Sequence, residues 1–255
     1  MSNAIQLQPA FVLHRRDFRN TSLLLDVFSA RFGRLGLVAK GARRRSAPAG
    51  PLLQPFRPLL LSWSGRGELR TLTGVEAAAG PIELKRSRLL CGFYLNELLQ
   101  RVLARDDSHV QLFDQYTGSL QALAADADSD ADEATTLRQF ELQLLQELGY
   151  GLVLDHCVDD GSPIAPHCRY RVDPESGPCK FDSSADAAPN AEPGYSRPPA
   201  PLLHGSTLLG LASGALDRQG QREARELLRA ALRPLLGDRP MHSRTLYQQY
   251  LKLRG

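Results

Sequence analysis

The side chains best placed to do chemistry in this sequence are cationic. Lys40, Arg43, Arg44 and Arg45 fall within six positions, beside the small residues Gly41 and Ala42. They belong to a charge-biased head. Residues 1–76 hold 12 Lys and Arg against 4 Asp and Glu, whereas the rest of the chain holds 19 against 24. Concentrated positive charge on an otherwise acidic chain suits a surface that meets a polyanion such as nucleic acid. A solvated face uses the same residue types. Arg15, Arg16, Arg19, Arg57, Arg66 and Arg70 extend the set of candidate phosphate ligands. Arg34, Lys40 and Arg43 to Arg45 are the favoured ones, on a hairpin and the loop that follows it. Neighbours along a strand point to opposite faces, so the whole set cannot share one surface. Phe18, Phe32 and Trp63 are of the kind that stacks bases, and equally of the kind that fills a barrel core.

Catalytic patterns are missing. The sequence has no G-x-x-x-x-G-K-[ST], H-E-x-x-H or G-x-S-x-G, and its six histidines are scattered singly. Gly33-x-x-Gly36 has the spacing of a GXXG clamp, but it lies between strands and reads as a turn. Cys157, Cys168 and Cys179, with His156 and His167, are of the metal-ligating kind. Their spacing, Cys157-x10-Cys168-x10-Cys179, lacks the short pairs of a structural zinc site. The expectation is loop thiols and no cofactor, with a zinc knuckle as the alternative. Four cysteines without a secretion signal, and no apolar run of membrane-spanning length, imply reduced thiols and a cytoplasmic protein off the membrane.

An α+β fold positions these residues. Strands are expected over 10–14, 22–28, 34–40, 56–63 and 68–75, with turns at 17–21 and 64–67. Residues 43–56, with Pro48, Gly50, Pro51 and Pro55, cannot continue a ladder and read as a mobile loop. Five short strands suit a small closed barrel over residues 5–78, OB-type or SH3-like. Residues 79–255 then form a helical domain. Helices are expected over about 84–104 and 109–125, around Leu137 to Leu148, and near 206–213, 220–236 and 243–252. Asp126 to Glu133 is an acidic approach to the third of these. Residues 155–202, rich in Pro, Gly, Ser and Asp, form an irregular insert. Arg222, Arg225, Arg229 and Arg233 recur at helical spacing and read as a solvated face paired with Glu223 and Glu226.

Several segments together carry a family resemblance. They are Ala10-Phe11-Val12-Leu13-His14, Leu24-Leu25-Asp26-Val27-Phe28, Leu37-Val38-Ala39-Lys40-Gly41-Ala42-Arg43 and Gln54-Pro55-Phe56-x-Pro58-Leu59-Leu60-Leu61. Gly65-Arg66-Gly67-Glu68, Tyr94-Leu95-Asn96-Glu97-Leu98-Leu99, Arg138-x-Phe140-Glu141, Leu148-Gly149-Tyr150-Gly151 and Leu236-Gly237-x-x-Pro240-x-x-Ser243-Arg244-x-Leu246 follow in order. With these segments the chain resembles the RecO family of bacterial repair and recombination proteins over essentially its whole length. The resemblance implies an OB barrel on a helical body, no enzymatic site, binding of single- and double-stranded DNA, and annealing of complementary strands. It also implies work with RecR, and in some pathways RecF, in loading RecA onto strands coated by single-stranded DNA-binding protein (SSB). SSB's acidic, apolar-ended tail needs a basic-rimmed apolar notch, for which Arg138 beside Leu137 and Phe140, with Arg101 or Arg105, is the candidate. Many family members carry a four-cysteine zinc module in the insert. Here Cys157 stands at the first place and Asp160 at the second, with Cys179 and Asp182 in the later pair, so the resemblance carries over the module's position and not its metal. The competing readings are an RNA-binding assembly factor built on the same barrel and an enzyme centred on the Cys/His insert.

Overall fold

A computed structural model describes residues 4–125, 130–181, 200–237 and 239–254. Strands β1 (Ile5–Phe18), β2 (Ser22–Ser29), β3 (Gly33–Ala39), β4 (Leu59–Ser64) and β5 (Leu69–Ala77) close a barrel in the order β1-β2-β3-β5-β4. The β3–β5 pair is parallel and the other pairs are antiparallel. That strand order is the OB-type Greek key, and it removes the SH3-like alternative. Alternation builds the core: Leu59, Leu61 and Trp63 of β4 are buried while Leu60, Ser62 and Ser64 between them are half-buried. Val12, Leu25, Val27 and Leu37 fill the same interior.

Three local expectations change. First, β1 runs further in both directions, so Asp17 and Phe18 pair with Leu23 and Ser22 and the turn shrinks to residues 19–21. Second, Gly33 takes a turn φ of 61°, but Gly36 serves close approach instead. A Cβ there would stand 3.0 Å from the Glu68 carbonyl oxygen and from Leu69. Third, the loop after β3 is anchored rather than mobile. Ala47 donates to Arg44 O (2.9 Å), Leu52 and Leu53 donate to Ala49 O, and the Leu53 side chain is fully buried in the barrel core.

The described residues divide into two compact units, one formed by 1–127 with 238–255 and the other by 128–237. The first joins the barrel to α1 (Ser87–Val102), α2 (Val110–Ala124) and α6 (His242–Arg254). Phe11 and Phe28 of the barrel meet Phe113 and Tyr116 of α2 with ring centroids 5.2–6.2 Å apart. At this seam β1 slips register between Val12 and His14, leaving Leu13 without a partner on β2. Its carbonyl would be an unsatisfied buried acceptor. Asn96 of α1 donates to it from Nδ2 (2.9 Å), and the Tyr116 hydroxyl donates to Asn96 Oδ1 (2.6 Å). Burial pushes the Tyr116 hydroxyl far above its ordinary pKa, so it stays a donor. Gly92 of α1 admits Leu84 and Phe56 where a Cβ would stand 2.4 and 3.0 Å from them.

Helix α6 is held by α1. Glu97 accepts from the backbone amides of His242 (2.9 Å) and Ser243 (2.8 Å) and from the Ser243 hydroxyl (2.7 Å). Burial alone would raise the Glu97 pKa, but these donors and Arg101 outweigh it and hold the carboxyl below its usual range. One carboxylate thereby satisfies two orphan amides and a hydroxyl at a helix N-terminus.

The second unit contains α3 (Asp130–Glu147), α4 (Gly205–Ser213), α5 (Arg218–Leu236) and a three-stranded sheet in the order β7-β6-β8. Its strands are β6 (Arg169–Asp173), β7 (Gly177–Lys180) and β8 (Leu202–His204). The expected irregular insert is thus partly a sheet; strands of three to five residues are too short to show a period of two. Glu223 of α5 gathers the start of α4. It accepts from the Thr207 hydroxyl (2.6 Å), the His204 amide (2.9 Å) and Gln219 (2.9 Å), and pairs with His204 Nδ1 (2.7 Å). Burial opposes ionisation, yet these partners bring its pKa down to about 2.

Both buried networks can be tested by removing their central side chain. Asn96→Ala removes the donor to the Leu13 carbonyl and the acceptor of the Tyr116 hydroxyl, and a buried carbonyl left unsatisfied costs about 1–3 kcal/mol. Urea unfolding of the first unit should therefore lose roughly 1–3 kcal/mol. Gln121→Ala, at an exposed position on α2, is the control and should change little. Glu223 has a depressed folded pKa, so its contribution is full above the ordinary value of 4.5 and is lost as pH falls through about 2. In thermal melts across that window, Glu223→Gln should flatten the acid loss of stability and lower the midpoint at neutral pH.

Candidate nucleic-acid interface

Most of the candidate arginines divide into two sets once their partners are known. Arg34 forks onto Asp26, with Nη2 2.8 Å and Nε 3.1 Å from the carboxylate, and donates to Leu103 O (3.2 Å). Both partners are 17% exposed. Arg70 pairs with Asp106 at 2.7 Å, and Asp106 in turn donates its amide to Arg34 O (2.9 Å). Gly33 lies against the backbone of Asp107, with no room for a Cβ. These two arginines fasten β3 and β5 to the segment after α1. Arg34, a favoured phosphate ligand from the sequence, has its charge matched by Asp26 and its fork occupied within the fold.

The other set lines a groove of about 610 Å³ between the end of β1 and the loop after β3. Arg15 and Arg16 come from β1; Arg43, Arg44 and Arg45 come from the loop. The floor and rim are small or neutral, with Leu23, Ala47, Gly50 and Pro51 among them. All five arginines are exposed. Arg15 leans on the loop through Leu53 O (3.3 Å). Arg43 is the most restrained. Its amide donates to Thr21 O (2.9 Å), its Nη1 lies 3.4 Å from the carbonyls of Arg19 and Asn20, and its Nη2 is 2.9 Å from Asp17. Asp17 is the sole carboxylate among the lining residues. The sequence alone reads Asp17 as part of a turn; the signal that it belongs here is only the length of β1.

Lys40, Arg19 and Arg66 are exposed outside that lining, Arg19 with its guanidinium 5.3 Å over the Phe18 ring, and Arg57 is half-buried. Aromatic stacking has little place in the groove. Trp63 is 1% exposed and meets Phe32 edge-on at 5.2 Å inside the barrel, while Phe18 is half-buried. The arrangement can neutralise a phosphodiester backbone.

The residues expected to line the tail notch are largely buried or paired. Phe140 is fully buried in the second unit, Leu137 is half-buried, and Arg138, 8% exposed, pairs with Glu141 at 2.9 Å. Arg101 pairs with Glu97 at 2.7 Å and donates to the carbonyls of Arg239 and Pro240 at 2.5 Å; Arg105 is exposed.

The cysteines of the second unit each have their own surroundings. Cys157 is buried in a turn whose amide donates to Ser162 O (2.8 Å), and Asp160 at the second place accepts from the Ser162 amide (2.9 Å). The Cys179 thiol points at Asp159 (3.5 Å); burial and that carboxylate raise its pKa. Among the described residues no three His, Cys, Asp or Glu side chains converge, Cys168 included. Asp182 lies outside the described residues.

Comparison with known proteins covers nearly the whole chain. The family model "Recombination protein O N terminal" matches residues 1–81, and "Recombination protein O C terminal" matches residues 84–245. The DNA repair protein RecO of Methylococcus capsulatus is 43% identical over 245 residues, 96% of this chain and 93% of that one. Its counterpart in Nitrosospira multiformis is 43% identical over 97% of each chain. That of Alkalilimnicola ehrlichii is 45% identical over 96% of this chain and 92% of its own. No described helix is long and apolar enough to cross a membrane.

Asp17→Asn removes the groove's carboxylate and releases Arg43. Affinity for single-stranded oligonucleotide, followed by fluorescence anisotropy, should rise several-fold at low salt. The slope of log affinity against log salt should steepen by about 0.7, one more single-strand phosphate contact. Unchanged affinity and slope would place the strand elsewhere.

Proposed function

The chain belongs to the RecO family of DNA repair proteins, and on that premise we propose that it is a non-enzymatic, DNA-binding recombination mediator that anneals complementary single strands. With RecR and RecF it helps to load RecA onto single-stranded DNA coated by SSB, in the cytoplasm at the nucleoid. Membership of the family assigns the chain to DNA repair and recombination; the rest is the reading the groove supports.

The observation that carries it is the pairing of five exposed arginines with an absence of aromatic side chains among the groove's lining residues. Annealing makes and breaks no covalent bond. It requires that repulsion between two phosphate backbones be screened while base edges stay free to pair. A stacking platform would hold the bases against the protein and slow pairing. Guanidinium groups that grip only the backbone leave the bases outward. Double-stranded DNA, whose bases are already paired, can occupy the same groove through the same contacts. An SSB tail and RecR engage other surfaces, since the groove offers no open apolar pocket.

The test is fluorescence-monitored annealing of two complementary oligonucleotides, bare and then coated with SSB. Wild-type protein should accelerate both. Arg44→Ala with Arg45→Ala should slow annealing by about tenfold or more. If four free arginines engage a single strand, the wild-type salt slope should be about −2.8, at −0.7 per contact, and the double variant's about −1.4. No acceleration by the wild type, or an unchanged double variant, would remove the annealing reading or its site respectively.

A further inference from the structure

Helix α5 presents a cationic stripe for which the fold has no internal use. Arg222, Arg225, Arg229 and Arg233 are all exposed, whereas Ala224, Leu227, Leu228, Ala231 and Leu232 of the same helix are buried. At 3.6 residues per turn the four arginines fall within about 80° of arc, and at 1.5 Å per residue they span about 16 Å. The sequence alone pairs them with Glu223 and Glu226. The structure gives Glu223 to Thr207, His204 and Gln219 instead. Among the described residues no ion pair joins any of the four to a carboxylate, Glu226 included. Like charges three and four apart oppose helix formation. The helix dipole favours Arg233 in the last turn but offers nothing to Arg222, Arg225 and Arg229, and a polyanion laid along the row would relieve their repulsion.

We infer that the exposed face of α5 is a second phosphodiester-binding site, which holds a second nucleic-acid strand while the barrel groove holds the first. This rests on the annealing reading and deepens it: pairing two strands is faster when one molecule retains both. The chemistry of the face favours a phosphate backbone over an acidic, apolar-ended peptide. Guanidinium forks match phosphate oxygens two at a time, and no large apolar side chain of α5 is exposed to receive a peptide's end. The site lies wholly within the second compact unit, and the groove wholly within the first.

The experiment uses the full chain and two non-complementary oligothymidylates, one carrying a donor dye and the other an acceptor, with annealing of a complementary pair measured in parallel. Arg222, Arg225, Arg229 and Arg233 are changed together to Ala, and in a second variant to Lys. Wild-type protein should bring the two oligothymidylates into energy transfer. The Ala variant, with an unchanged thermal midpoint, should bind one oligonucleotide within about threefold of wild type, lose the transfer, and anneal about tenfold more slowly or worse. The Lys variant should recover most of both. An Ala variant that bridges and anneals like wild type overturns the second site. So does one that loses affinity for an acidic, apolar-ended peptide while bridging persists. A wild-type protein that fails to anneal overturns the annealing reading itself, a result distinct from either.

Discussion

A single backbone carbonyl fixes the architecture of the first unit. Leu13 falls out of register in β1, and the fold must supply its oxygen with a donor in a place closed to water. Asn96 is the donor, Tyr116 orients Asn96, and the Tyr116 ring is itself wedged against Phe11 and Phe28. Barrel, α1 and α2 are thereby linked by one chain of hydrogen bonds inside an apolar seam. Apolar packing alone tolerates sliding; a buried amide with two directed bonds does not. The barrel's orientation on its own helices, and hence which face its arginines show, is set at that point.

Charge in the head is divided between arginines that an acid answers and arginines that stand open. Arg34 and Arg70 close the side of the barrel that meets the segment after α1, each with a carboxylate partner. Arg15, Arg16, Arg44 and Arg45 are left facing solvent around the groove, and Arg43 stands between the two roles because Asp17 answers it. The same residue type serves both purposes, and the difference lies only in whether an acid has been placed within reach.

That division explains what can be read from the sequence. Strand alternation around Leu59, Leu61 and Trp63 and the period of Leu95, Leu98 and Leu99 announce the barrel and α1, since burial imposes a spacing. The basic loop is visible as Arg43 to Arg45. Arg34 is indistinguishable from them, because its partner Asp26 is eight residues away and becomes a neighbour only through the β2–β3 pairing. Likewise Glu223 looks like a surface partner for the arginines of α5, and its capture by Thr207 and His204 depends on a tertiary contact that no spacing within the helix encodes. The anchoring of Leu53, one apolar residue in a proline-rich loop, carries no periodic signal at all.

The contact between Glu97 and the start of α6 also has a consequence for synthesis. Helix α6 completes the first unit, yet residues 128–237 of the second unit leave the ribosome before it does. At about 5 to 20 residues per second, that delay is on the order of ten seconds. The second unit is contiguous and can close as soon as it emerges. The barrel can dock on α1 and α2 through Asn96, but the face of α1 that α6 covers stays open for the whole interval. A nascent chain in that window would carry a formed barrel and an uncovered face of α1 until Glu97 meets the amides of His242 and Ser243.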